Sequence, residues 1–124
     1  MKKFEDVRER VFQFVLRIMK LCGSLSKTEA NKIITSQILR SSTSIGANLE
    51  EAVGAHTRSD FIYTMNIAKK EIRETNYWLK LIHASNNIAI RNRMTSLLQE
   101  GEELAKILTV SVKNASKRQL VINS

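Results

Sequence analysis

The chain has 124 residues, no proline, four glycines and a formal charge of +8 from 20 Lys and Arg against 12 Asp and Glu. Turn formers are too scarce for an all-β domain of this length, and 43% apolar residues recurring in order argue against disorder. A lone cysteine, Cys22, excludes an internal disulfide, and no apolar run approaches the ~20 residues needed to cross a bilayer.

What remains is a set of long helices in one domain spanning residues 1–124. The start carries Glu5, Asp6 and Glu9 and no apolar block of the signal-peptide kind, so a cytoplasmic protein without a membrane partner is expected. The charge is uneven: residues 1–20 are net +3 and residues 106–124 net +4, leaving the long middle nearly neutral.

Four amphipathic segments follow one another. The first, about residues 4–23, places Phe4, Val7, Val11, Phe14, Ile18, Leu21 and Leu25 at alternating steps of three and four, an apolar seam on one helix face. It also carries a second strip, Phe12, Val15, Leu16, Met19 and Cys22. That is more than one core contact requires, and it points to self-association. Ser26-Lys27-Thr28-Glu29 reads as a capping box opening the second helix, about residues 27–54, with Ser26 as the cap. Its seam is small and polar: Ala30, Ile34, Gln37, Ser41, Ile45, Asn48 and Ala52.

Gly54 closes this helix, and Thr57-Arg58-Ser59-Asp60 supplies the next cap. The third helix, about residues 59–84, has Phe61, Met65, Ala68, Ile72, Thr75, Leu79 and Ile82 as its seam, with Tyr77, Trp78 and Leu81 beside it. Ser85-Asn86-Asn87 is a turn. The fourth, about residues 87–116, aligns Ile90, Met94, Leu97, Gly101, Leu104, Leu108 and Ser111. Four such segments on short connections fold most economically as an all-α, antiparallel up-down-up-down four-helix bundle.

The run from Gln37 to Ala52 is rich in Ser, Thr, Gly and Asn, residues that disfavour helix interiors and therefore need a packing or chemical reason here. A hairpin turning near His56 sets Arg40 against Glu71 and Glu74 of the third helix, and Asn48 near Thr64 and Met65. An Arg40 ion pair inside the bundle is expected, part of a structural polar network of Arg40, Ser41, Ser44, Asn48, Glu71 and Glu74. A catalytic arginine and carboxylate pair is the less favoured alternative.

At this stretch the sequence resembles the 23S rRNA intervening-sequence protein family, also called the four-helix bundle protein family. The resemblance rests on Arg-Ser-x-x-Ser-Ile-Gly-Ala-Asn-x-x-Glu-Ala from Arg40 to Ala52. It continues in Ser59-Asp60-Phe61, Ala68-Lys69-Lys70-Glu71 and Glu74-Thr75-Asn76-Tyr77-Trp78-Leu79, and Phe4-Glu5-Asp6-Val7 also fits. It implies a four-helix bundle assembled as a homopentamer, in a family of bacterial proteins with no attached enzymatic activity. It further implies similarity to the accessory variability determinant of diversity-generating retroelements, a basic bundle that binds nucleic acid and a reverse transcriptase.

Catalytic and metal chemistry finds little footing. His56 and His83 lack partners at metal-ligand spacing, and no Glu-x-x-His occurs, so a di-iron bundle is excluded and no metal or cofactor is expected. Gly46 and Gly54 lie too far apart for a phosphate loop. Cys22 falls on an apolar strip and is expected to be buried and inert, and Trp78 to be core or interface. The chain is read as a non-enzyme.

Up-down-up-down order brings the two basic ends of the sequence to one pole. Lys2, Lys3, Arg8 and Arg10 would there meet Arg58, Lys113, Lys117 and Arg118, and Arg17 extends a basic stripe along the first helix at steps of seven from Lys3 and Arg10. Such a pole attracts RNA or DNA phosphates with little sequence selectivity. The competing reading is a protein–protein adaptor that recruits a nucleic-acid-processing protein; a solvated face that only aids solubility is the plainest one.

Overall fold

The computed structural model describes residues 2–123, with side chains from Lys3 to Arg118. It contains α1 (Lys2–Ser24), α2 (Glu29–Val53), α3 (Arg58–Ser85) and α4 (Ile88–Asn123), and no strand among the described residues. Each helix packs on its neighbours in chain order and α4 closes the ring on α1, while no diagonal pair brings its backbones close together among the described residues. This is the expected all-α, antiparallel four-helix bundle. The α2–α3 seam is the most extensive and the α1–α4 seam the thinnest.

Local chemistry sets the helix starts. Thr28, not Ser26, caps α2: its hydroxyl accepts the Asn31 N–H at 3.1 Å. The Asn31 amide meanwhile donates to the Ser26 carbonyl at 2.8 Å, tying Ser26 to the turn before the helix. Thr57 caps α3 by accepting from the Asp60 N–H at 3.0 Å, and Asn87 accepts from the Ile90 N–H at 3.1 Å to open α4. Helix α4 runs past residue 116, further than its apolar pattern indicates.

The core follows the seams read for α1, α3 and α4. Val11, Phe14 and Ile18 of α1 share one buried cluster with Met65, Ala68, Ile72, Leu79 and Ile82 of α3 and Met94, Leu104 and Leu108 of α4, all essentially without solvent exposure. Helix α2 is turned from its expected seam. Ile38 and Leu49 are buried beside Ser41, Ser42, Ile45 and Ala52, while Gln37 and Asn48 lie half-buried on the flank and Ala30 is exposed. Burying a large aliphatic side chain contributes about 1.5–3 kcal/mol, so Ile38 and Leu49 decide the rotation over Gln37 and Asn48.

Small residues allow close approach where α3 crosses α4. The Asn76 amide donates to the Gly101 carbonyl at 3.0 Å, and a Cβ built on Gly101 would stand 2.2 Å from Asn76 Oδ1 and 3.2 Å from Phe14 Cζ. Between α2 and α3, the Ser41 and Thr75 hydroxyls share a buried hydrogen bond of 2.8 Å. The neighbouring Ser42 hydroxyl is buried without a partner among the described residues.

Candidate nucleic-acid interface

The start of α1, the α2–α3 turn and the last turns of α4 enclose a hollow of about 1070 Å³ at one pole of the bundle. Its wall is apolar, built from Phe4, Val7, Phe61, Ile107 and Val110, with the Phe4 and Phe61 rings 5.9 Å apart and tilted. Lys3, Arg10, Arg58, Lys106 and Arg118 also line it, with His56 in the turn and Asp6 as the acid among them. Lys3, Arg58, Lys106 and Arg118 form no ion pair with any described residue.

The expected basic residues do not all gather at the hollow, and Arg10 both lines it and is ion-paired. Lys3, Arg10, Arg58 and Arg118 come together around the hollow. They are joined by Lys106, a base of the C-terminal stretch that helix order alone does not assign to the pole. Lys113 and Lys117 are exposed on α4 but do not line it. The side chain of Lys2 lies outside the described residues.

Arg8, Arg10 and Arg17 are engaged within the bundle. Arg8 reaches Glu50 of α2 at 2.7 Å, and Arg10 reaches Glu100 at 2.7 Å and Glu103 at 3.0 Å on α4. Arg17 donates to the Ser96 hydroxyl at 2.6 Å. Positions two apart on a helix project to opposite flanks, so Arg8 and Arg10 staple α1 to its two neighbours. Only the acids of α2 and α4, far away in sequence, determine that outcome.

Arg40 does meet both glutamates, bonding Glu71 at 3.3 Å and also Glu74. The pair is not inside the bundle as expected: Arg40 keeps 52% of its side-chain surface while Glu71 keeps 8%. The guanidinium caps the α2–α3 groove from outside, and the Glu71 carboxylate points out from the core edge to meet it. Glu74 also accepts from the Trp78 indole at 3.4 Å. Its carboxyl is held below the usual carboxylate range, chiefly by the Arg40 hydrogen bond and further by Trp78, with partial desolvation opposing.

The rest of the expected network is separate. Asn48 donates to the Ser44 carbonyl at 2.9 Å and to its hydroxyl at 3.1 Å, bonds that stay within α2. Ser41 belongs with Thr75. Trp78 is half-buried against the core with Tyr77 edge-on at 5.1 Å. Cys22 is half-buried, not buried, and desolvation pushes its thiol up against a weaker opposing effect of Thr35. No described helix is long and apolar enough to cross a membrane.

Residues 4–110 match the family described as 23S rRNA-intervening sequence protein. The chain belongs to that family. It is also similar to a crystal structure of a protein of unknown function from the S23 ribosomal protein family of Bacteroides thetaiotaomicron VPI-5482. The two share 39% identity with a TM-score of 0.77, over 86% of this chain and 98% of that one. No curated protein matches this 23S rRNA-intervening sequence family member. The matched span takes in nearly all of α1, α2, α3 and most of α4, and so includes the lining of the hollow at the pole except Lys3 and the Ser111–Arg118 edge.

Proposed function

We propose that this chain is a non-enzymatic, self-associating bundle that binds nucleic acid through its basic pole. The observation that carries the reading is the set of four cations, Lys3, Arg58, Lys106 and Arg118, gathered from three helices around one hollow without ion-pair partners among the described residues. Glu50, Glu100 and Glu103 are bonded to Arg8 and Arg10, and Asp6 is the one acid in the lining of the hollow beside these four cations. A phosphate backbone releases counterions on meeting such a surface. Self-association is supported by Phe12, Leu16 and Met19, an exposed apolar strip on α1. The family resemblance implies that the assembly is a homopentamer.

Binding of RNA and DNA across a salt series tests the pole. Affinity should fall steeply with salt. Replacing Arg58, Lys106 and Arg118 with Gln should flatten the slope of log K against log salt by roughly 0.7–0.9 for each phosphate no longer neutralised. Affinity indifferent to salt and to these replacements would refute it. The apolar wall of the same hollow favours a second reading, an adaptor that docks a partner protein. That reading predicts salt-insensitive capture of a discrete partner, abolished by Phe61→Gln, with negligible nucleic-acid affinity.

A further inference from the structure

Helix α3 has a second ordered face. Opposite its core seam, Tyr63, Asn66, Lys70, Arg73, Tyr77 and Lys80 follow one another at steps of three and four, so they form a single line along the outside of the helix. All are exposed, and Tyr63 and Tyr77 retain 70% and 55% of their residue surface. From Asn66 to Tyr77 the surface dips into a shallow hollow of about 590 Å³, to which Lys69 also contributes.

The charge on this line is one-sided. Lys69, Lys70, Arg73 and Lys80 form no ion pair with any described residue. Glu74 borders the hollow but is bonded to Arg40, and Lys70 helps to hold its carboxyl ionised. One exposed tyrosine needs no explanation. Two of them, alternating with unpartnered cations along about 26 Å of helix, form a repeated pattern.

We infer that this face of α3 binds single-stranded nucleic acid, with phosphates along Lys69, Lys70, Arg73 and Lys80 and bases stacked on Tyr77 and Tyr63. Stacking requires an unstacked base, which a single strand offers and the outside of a duplex does not. An acidic peptide would use the cations, but a single strand is the ligand that carries a flat ring beside every phosphate. A second copy of this face would bring like charges together. The inference rests on the reading that the ligand is nucleic acid, but it uses a surface distinct from the pole.

The test is fluorescence anisotropy of the full chain with a short labelled single-stranded RNA and with the corresponding duplex. Joint replacement Tyr63→Ala and Tyr77→Ala should lower single-strand affinity about ten-fold or more and leave duplex affinity unchanged. Tyr63→Phe with Tyr77→Phe should keep single-strand binding, which separates stacking from any disturbance of Trp78. Lys70→Gln with Arg73→Gln should weaken both ligands and reduce the salt slope.

The inference is overturned if the alanine pair leaves single-strand affinity intact, weakens both ligands equally, or shifts the sedimentation coefficient, which would mark the face as an interface between copies. Weakening confined to the Arg58, Lys106 and Arg118 variants would overturn it while keeping the polar site. Weakening confined to the α3 variants would do the reverse. A wild-type chain that binds neither RNA would remove both.

Discussion

At the scale of single residues, two positions make opposite predictions. Gly101 is required by the approach of Asn76 and Phe14, not by backbone conformation. Gly101→Ala should destabilise the fold by about 1–3 kcal/mol through overpacking, even though Ala favours a helix interior by about 1 kcal/mol. Thermal unfolding measures it, and adding Asn76→Ala should recover part of the stability, because the two sites touch. Ser42 is the converse case. Its hydroxyl is buried and has no partner among the described residues, so Ser42→Ala removes a desolvation cost of about 1–3 kcal/mol and should raise the melting temperature. A lowered melting temperature would mean that the hydroxyl has a partner after all. In the sequence, Gly101 is a gap in an apolar seam and Ser42 one more polar residue in an unusual run. The reasons are not visible there, since each depends on which atom of another helix stands opposite.

At the scale of helices, the α2–α3 pair is the most legible part of the chain. An antiparallel hairpin through His56 suffices to set Arg40 against Glu71 and Glu74, while the Ser41–Thr75 bond emerges only from the structure. The rotation of α2 is less legible, because a seam of small polar residues gives a weak pattern and Ile38 and Leu49 override it. Because Glu74 is held below its ordinary value, its ion pair contributes stability that is fully present above the usual carboxylate range. That contribution fades as pH falls from the usual range through the lower folded value. A melting-temperature series should therefore show wild type and Glu74→Gln separated near neutrality and converging in acid. On α1, the exposed strip argues a different outcome: Phe12→Gln with Leu16→Gln should leave helical content unchanged and shift sedimentation toward a single subunit.

At the scale of the molecule, the gathering of basic ends at one pole follows from helix order, but the share of those bases left for a ligand does not. Arg8 and Glu50 are 42 positions apart, and Arg10 and Glu100 are 90 apart, so only the rotation of α1 between its neighbours reveals that these cations are spent on the fold. The tyrosine-bearing face of α3 has its three-and-four spacing written in the sequence. It is hidden by the stronger apolar pattern of the same helix, which draws the eye to the opposite side. Salt should then act on the molecule twice: it weakens capture of phosphates, and it loosens the exposed Arg8–Glu50 pair that holds α1 in place.

The thinness of the seam between the first and last helices gives the bundle a fault line. The closing edge of the ring is pinned there by Arg10, Arg17 and Arg93, with less packing beneath them than the α2–α3 hairpin has. Breathing of the native protein should begin with the first helix lifting off a hinge near Gly23. Its backbone amides should trade hydrogen for deuterium sooner than those of the central hairpin, and sooner still in concentrated electrolyte.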